Sequence, residues 1–459
     1  MFALPGTLLL MIFVLARPQE FVPALQHAPF LHLFAAFALI GYVVDVRLRR
    51  LEPIAANTLP WAAAFLVWAI VSTAINAPEQ AIPRAIELLI RLAIYGTIAH
   101  GIQRFRTFQL TAGVLAATCL FITAILVQQG LAPRQCVGGE EAEGAIEGHA
   151  DGRACELASE CRGPDAEPGL EYRCEHVGLF DTFSVDGRVR YRGELHDPNE
   201  VALAISAGGM AMLIAMMIRR RGALARIGAV VGVGAVGLAV FMTQSRGGLV
   251  AALLVPAVYA VRRFGLRALI PGAIVAVPVL LVGGRSGDAA ELSTTMRYDA
   301  WATGLDIFHQ HPIFGVGARM FGEHHFITAH NSYVLALAEL GFVGLFLFVA
   351  LLYLVIKTLL VGLRALAVIP GTAAAQVWGL ALLAAMAGIV FQINTLSFCY
   401  HGVLWIFIGL VGAWSSAVRF HMPSLHIRLT GRDLIAVGAI ALGYAFVVLP
   451  LFLRIKGFI

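Results

Sequence analysis

Apolar residues in this chain come in runs too long for core strands, separated by short polar breaks. Crossing a bilayer takes about 20 mostly apolar residues in a helix. Thirteen runs approach that length, at 2–16, 29–46, 59–76, 85–100, 108–127, 199–217, 226–243, 248–261, 266–283, 331–356, 375–393, 402–418 and 433–453. The first and last are the weakest, so the pattern predicts an all-α polytopic membrane protein of twelve or thirteen transmembrane helices. The first run has no basic residues ahead of it and no small-residue cleavage site behind it. It is expected to be an anchor and not a cleaved signal peptide. No Walker sequence, dinucleotide fingerprint or sustained internal repeat is visible.

Composition sharpens this. The 459 residues are 59% hydrophobic and 13% charged, with mean hydropathy +0.81. Soluble domains carry about 25% charged residues, so a soluble enzyme, a disordered chain and a DNA-binding domain are excluded. The net charge of +5 has a topological origin. Arg47, Arg49 and Arg50 share one loop, and Arg104 and Arg106 lie in the next but one. Arg219, Arg220, Arg221 and Arg226 follow, then Arg262, Arg263 and Arg267, then Lys357 and Arg364, then Arg419, Arg428 and Arg432. These seventeen residues all fall in alternate loops, which the positive-inside rule assigns to the cytoplasm. The N-terminus is then inside, and two long polar segments, 128–198 and 284–330, are outside. The expected organisation is transmembrane helices over 1–127, an acidic periplasmic loop over 128–198, helices over 199–283, a second periplasmic loop over 284–330, and helices over 331–459.

The first external segment holds 15 acidic residues and 7 arginines between 133 and 198. It also holds Cys136, Cys155, Cys161 and Cys174. Four cysteines in an exported loop predict two disulfides, with three connectivities open. A metal site fits less well, because there is no CxxC pair and the nearby histidines are His149 and His176 alone. Cys119 and Cys399 fall in or near helices and are expected as small packing residues.

Four motifs carry candidate chemistry. His330-Asn331 is followed by nine residues and then Gly341-Phe342-Val343-Gly344. A neutral imidazole where an external segment enters a helix can accept a hydroxyl proton. The alternative is a histidine that caps the helix, with the glycines allowing close helix packing. Thr243-Gln244-Ser245-Arg246-Gly247-Gly248 forms a tight external turn. It places Arg246 at a helix N-terminus, where backbone N–H groups and the dipole favour anions, or else as a snorkelling interfacial arginine. Arg297, Trp301, Asp306 and the stretch His311-Pro312-Ile313-Phe314-Gly315-Val316-Gly317 predict a short interfacial helix. Asp197-Pro198-Asn199-Glu200 predicts a helix start with a capping box and Pro at its first position, and Arg190 and Arg192 just ahead of it are candidates to add to an anion site. Glu87 and Arg91 are spaced to pair, with Arg84 one turn earlier, and Glu339 lies nine residues into the His330 helix.

Taken in order, the Ser245-Arg246-Gly247-Gly248 turn, the Trp301 to Gly317 stretch and the His330-Asn331 to Gly344 motif resemble the O-antigen ligase and O-antigen polymerase family of membrane glycosyltransferases (WaaL/Wzy-like). The resemblance is specific over about 195–350, and the cysteine-rich insert at 133–180 lies outside the family pattern. It implies a GT-C-like fold in the bacterial inner membrane. The implied donor is a glycan on undecaprenyl pyrophosphate, and the acceptor is a sugar hydroxyl on lipid A core or on another lipid-linked glycan. No cofactor, metal or nucleic acid is expected. On this reading His330 is the general base. Arg246 and Arg297, with Arg192 as a further candidate, hold the pyrophosphate. Asn331, Ser245 and Asn199 support them. Ligase, polymerase and protein O-oligosaccharyltransferase share this chemistry, and a polytopic transporter is the remote alternative.

Overall fold

The computed structural model describes the chain except residues 27, 143–144, 164–165, 167–169, 220–221 and 285–286. Arg220 and Arg221 of the loop charge pattern lie outside the described residues. In chain order the helices are α1 (Ala3–Leu15), α2 (Phe30–Arg47), α3 (Leu59–Asn76), α4 (Ala81–Gly101), α5 (Phe105–Leu131), α6 (Pro198–Ala204), α7 (Ala211–Arg219), α8 (Ala223–Met242), α9 (Arg246–Phe264), α10 (Leu269–Val282), α11 (Asp288–Gln310), α12 (Ser332–Leu366), α13 (Ala373–Gln392), α14 (Gly402–His421), α15 (Gly431–Gly443) and α16 (Leu449–Lys456). A π-helical stretch, Ile205–Met210, joins α6 to α7, and another, Tyr444–Val448, joins α15 to α16.

Among the described residues ten helical segments are long and apolar enough to span a membrane. Two shorter apolar helices, Ala3–Leu15 and Leu266–Val282, occupy two more of the predicted runs. The run at 85–100 is α4. Its first turns hold Arg84, Glu87 and Arg91, which set it apart from the ten. The chain is an all-α polytopic membrane protein with one small sheet.

The helices form two compact units. The first comprises Met1–Met11, Leu31–Thr111 and Ser286–Ile459. Its centre is α12, which packs against α3, α11, α13, α14 and α15. Glycines allow the closest approaches. A Cβ on Gly409 or Gly412 would lie 3.0 or 2.9 Å from Ile98 or Ala99, so α14 lies directly on α4. The Trp414 indole fills the space over Gly362 and Gly379, where a Cβ would come within 2.7 and 2.4 Å, and donates to the Ala375 carbonyl at 2.8 Å.

The second unit comprises Ile12–Phe30 and Ala112–Arg285. Its core is the α6–π–α7 segment, packed by α8 and α9. Cys119 seats against Gly208, where a Cβ would lie 2.6 Å from Sγ, in the expected packing role. The acidic segment is more than a loop. It carries β1 (Arg134–Ala142), β2 (Ala145–Ala154) and β3 (Tyr172–His176), antiparallel in the order β2-β1-β3. Disulfides Cys136–Cys161 and Cys155–Cys174 select one of the three connectivities. The sulfurs lie close enough to suggest a metal cluster, but they are consumed in these bonds. A segment this small and polar cannot bury much apolar surface, and disulfides replace that core.

Candidate active site

In the first unit the site is built at the start of α12. Asn331 is the N-cap, its Oδ1 accepting the Tyr333 and Val334 N–H groups at 3.0 and 3.2 Å and the Tyr444 hydroxyl at 3.3 Å. Capping is therefore the work of Asn331, which leaves the His330 side chain outside that role. His330 is half-buried, with φ +44°. A non-glycine residue in the left-handed region is uncommon and must be held there. The hold comes from both sides. His330 N–H donates to Ser397 Oγ at 3.0 Å, and Ser397 also bonds Thr328 at 2.6 Å. Ser332 Oγ donates to the Leu396 carbonyl at 2.6 Å and accepts the Phe398 N–H at 2.8 Å.

The α11 helix runs 23 residues, so it is far longer than the short interfacial helix expected from the sequence. Apolar positions at Ala300, Leu305, Ile307 and Phe308 are buried and fasten it to α12. Trp301 Nε1 donates to the carbonyl of Ala329, next to His330, at 2.8 Å. Arg297 stands one helical turn before Trp301 and is half-buried. This brings the α11 turn that carries Arg297 alongside the His330 backbone. Downstream, His325 bonds Asp299 at 3.1 Å and so ties the connecting segment back to α11.

Nine residues into α12 the helix breaks at Gly341 (φ +66°, ψ −168°). The carbonyls freed by the break are met by protein groups. Val316 and Gly317 N–H donate to Ala338 and Glu339 at 3.1 and 2.8 Å, and Phe342 N–H donates to Pro312 at 2.8 Å. From α3, Trp68 Nε1 reaches the Leu340 carbonyl at 2.9 Å, and Ser72 Oγ reaches those of Phe314 and Glu339 at 2.5 and 3.0 Å. Irregular backbone inside a membrane protein persists only where such groups are satisfied. The Pro312–Gly317 stretch is thus a plug for the broken helix, and the glycines of the second motif mark that break. Helix packing alone, the alternative considered from the sequence, does not describe them.

Glu339 sits at the break and is fully buried, its Oε1 accepting the Phe321 N–H at 3.2 Å. The Tyr400 hydroxyl lies beside its carboxylate, and burial first, then the neighbouring Glu339, holds that phenol well above its ordinary range. The predicted Glu87–Arg91 pair forms at 3.6 Å, and Arg84 joins Glu87 at 3.5 Å. Sequence reasoning missed Arg319, which reaches Glu87 at 2.6 Å from the plug segment. The signal available was an arginine two residues after Gly317, the sole Arg or Lys of the sequence between Arg297 and Lys357.

In the second unit Ser245 is the N-cap of α9, its Oγ accepting the Gly248 N–H at 3.0 Å. Arg246 is the first helical residue, as the turn predicted, and is exposed. Its side chain lies over Gly284, where a Cβ would come 2.5 Å from Arg246 Cγ. Asn199 Oδ1 accepts the Ser245 hydroxyl at 2.6 Å and Arg188 Nη2 at 3.4 Å, so Asn199 braces the turn. Asp197 accepts the Asn199 N–H at 2.6 Å to start α6, with Pro198 first in the helix. Arg192 is occupied otherwise than expected. Its terminal nitrogens donate to the Glu20 carbonyl at 3.2 Å, to that of Asp181 at 2.8 Å and to that of Phe180. It clamps three backbone segments together.

Residues 231–349 match the family model Wzy_C, described as O-Antigen ligase. Over that stretch the chain is similar to O-antigen ligases. The matched residues include the Ser245-Arg246 turn, α11 with Arg297, the plug segment with Arg319, His330-Asn331 and the Gly341 break. Asn199, Arg192 and the disulfide-bonded sheet lie outside them. No curated protein matches the chain. The match supports a glycosyltransferase-like function of the ligase or polymerase type.

Proposed function

We propose that this chain transfers a glycan from an undecaprenyl-pyrophosphate carrier to a sugar hydroxyl, of lipid A core in the ligase reading, at the periplasmic face of the bacterial inner membrane, with its N-terminus in the cytoplasm. The observation that carries the proposal is the setting of His330. A half-buried imidazole, next to the N-cap Asn331, stands on a backbone fixed by Ser397 and by α11. Such fixing suits a positioned base, because proton transfer depends on geometry before pKa.

In this mechanism His330 takes the proton of the acceptor hydroxyl as its oxygen attacks the anomeric carbon. The bond from that carbon to the pyrophosphate oxygen breaks, and the configuration inverts. Arg246, at the N-terminus of α9, and Arg297 stabilise the charge that develops on the leaving pyrophosphate. A guanidinium fork matches phosphate oxygens better than an ammonium does.

The test is complementation of a deletion strain. The His330→Ala variant, at equal membrane abundance, is expected to leave glycan on the carrier lipid. Normal transfer by that variant would sink the assignment. The product pattern also separates the shared-chemistry readings. Loss of a ligase leaves full polymer on the carrier, whereas loss of a polymerase leaves single repeat units.

A further inference from the structure

Within the second unit, α9 uses two faces differently. Gly248, Ala251, Ala252 and Val255 are buried in the core of the unit. Another face, with Val250, Ala257 and Phe264, borders a groove of about 790 Å³. The opposite wall of the groove is α10, with Ala273, Ala276 and Leu280. None of the residues of α10 is buried, and Ile274 and Leu281, on its far side, are 70% and 77% exposed. The helix therefore stands as an outer wall with a space behind it and does not complete the core. With no water in the hydrocarbon region of a bilayer, a lipid chain fills such a space.

Two observations select the chain. The first is the position of Arg246. At 3.6 residues per turn, Val250, Ala257 and Phe264 all lie within about 40° of Arg246 around the helix axis. The groove face thus begins one turn beyond the arginine and runs away from it. The Arg246 side chain also crosses to the other wall, over Gly284, two residues past the end of α10. A cation stands at the mouth of an apolar groove, where a lipid with an anionic head would place its charge. The second observation is length. From Val250 to Phe264 the groove face covers about 21 Å of helix, more than one leaflet of a hydrocarbon core about 30 Å thick. An acyl chain hung from a head group at Arg246 stops near the midplane, whereas a polyprenyl chain fills the whole length.

We propose that the groove between α9 and α10 holds the polyprenyl chain of the lipid-linked donor, with its pyrophosphate at Arg246. The inference rests on the reading of Arg246 as a pyrophosphate ligand and adds to it a selectivity for chain length.

The experiment uses the full chain in phosphatidylcholine nanodiscs, with bound ligand read by native mass spectrometry. The probes are undecaprenyl pyrophosphate and, separately, geranyl pyrophosphate, whose ten-carbon chain stops short of Ala257, about 16 Å along the helix from Arg246. Ala257→Trp and Ala273→Trp fill the groove from its two walls. Because lipid already solvates the chain, packing and not transfer from water carries its preference for the groove. Each variant is accordingly expected to lower retention of undecaprenyl pyrophosphate by about five-fold or more and to leave geranyl pyrophosphate unchanged. Ile274→Trp, on the far side of α10, is expected to change neither. Arg246→Ala is expected to weaken both probes by about ten-fold.

Unchanged undecaprenyl pyrophosphate in both groove variants, with a loss in Arg246→Ala, would overturn the groove and spare the arginine. A loss in the groove variants with both probes unchanged in Arg246→Ala would keep the chain in the groove and remove Arg246 from the donor. Added phosphatidylglycerol lost from the groove variants as strongly as undecaprenyl pyrophosphate would mean a groove for bulk lipid and overturn the proposal. If the tryptophan variants do not fold, Ala257→Leu decides by the same comparison of the two probes.

Discussion

Gly315 passes so close to Glu339 that a Cβ on it would lie 2.3 Å from the Glu339 carbonyl carbon. Both Gly315 and Gly341 have positive φ, and a Cβ on Gly341 would lie 2.2 Å from the Ile313 carbonyl oxygen. The plug and the broken helix therefore meet backbone to backbone. Alanine at either position adds left-handed strain of roughly 1–3 kcal/mol to a clash that rigid backbone cannot relieve. Gly315→Ala and Gly341→Ala are expected to lower thermal stability in detergent and to reduce transfer. Gly272→Ala meets nothing within 4 Å and should leave both unchanged. Wild-type melting in the two plug variants would refute the close-contact account.

Asn331 and His330 are neighbours with separable roles. Removing an N-cap side chain costs about 1 kcal/mol, so Asn331→Ala should melt earlier and keep measurable transfer. His330→Ala keeps the cap and should melt like wild type, while losing about 10²–10⁴-fold in rate, the range of a positioned base. Parallel melting curves and transfer assays on the two variants test the split. A His330→Ala protein with its rate intact, or one that loses rate only because it unfolds, contradicts the assignment.

Much of this was legible in the sequence, for physical reasons. Runs of apolar residues report spanning helices directly, because the bilayer sets their length. The tight turn at Ser245-Arg246 announced a helix start, whereas the cap considered at the next motif was His330 and the structure gives that role to Asn331. Four cysteines in one polar segment announced two disulfides, but not their pairing: the strands set Cys136 opposite Cys174, yet Cys136 bonds Cys161 and Cys174 bonds Cys155. Features that depend on distant contact were hidden. The Gly341 break needs the plug segment and α3 to satisfy it. Arg319 gains meaning only against Glu87, more than two hundred residues earlier in the chain. The clamp made by Arg192 was hidden for the same reason, since its carbonyl partners lie at Glu20, Phe180 and Asp181.

Those partners give Arg192 a structural signature. Its guanidinium holds three backbone carbonyls, so Arg192→Ala should lower stability and speed proteolysis of the 178–194 segment. Each bond to a charged donor is worth about 1.5–3 kcal/mol where buried, less at this partly exposed site. Donor KM, measured per folded molecule, should be unchanged. A raised KM with unaltered stability would restore Arg192 as a ligand of the donor.

The disulfides close loops of 25 and 19 residues in sequence separation, each worth about 3 kcal/mol on the loop-entropy account. The buried core around them is Cys136, Cys155, Cys161 and Tyr172, which cannot hold the sheet once the bonds are gone. Replacing Cys136, Cys155, Cys161 and Cys174 together by serine is expected to unfold the insert, seen as rapid cleavage within 134–176, while the ten spanning segments keep their protection. Protection of the insert in the four-fold substituted protein would show that the sheet stands without its disulfides.

Arg246 combines a formal charge with the N–H groups of the first turn of α9, and Ser245 already satisfies one of those groups at Gly248. Two substitutions separate charge from fork. Arg246→Lys keeps the charge and loses the planar pair of donors. Arg246→Ala loses both. If the side chain grips the leaving pyrophosphate, the alanine variant should lose about ten- to hundred-fold or more in kcat/KM, the equivalent of one or two charge-assisted bonds. The lysine variant should recover part of that loss. Because Arg246 is exposed and lies over Gly284 without a capping role, neither variant should lower stability by more than roughly 0.5 kcal/mol. Steady-state transfer with a defined lipid-linked donor, alongside melting of each variant, provides the measurement. Equal kcat/KM in wild type and Arg246→Ala would remove Arg246 from the donor site.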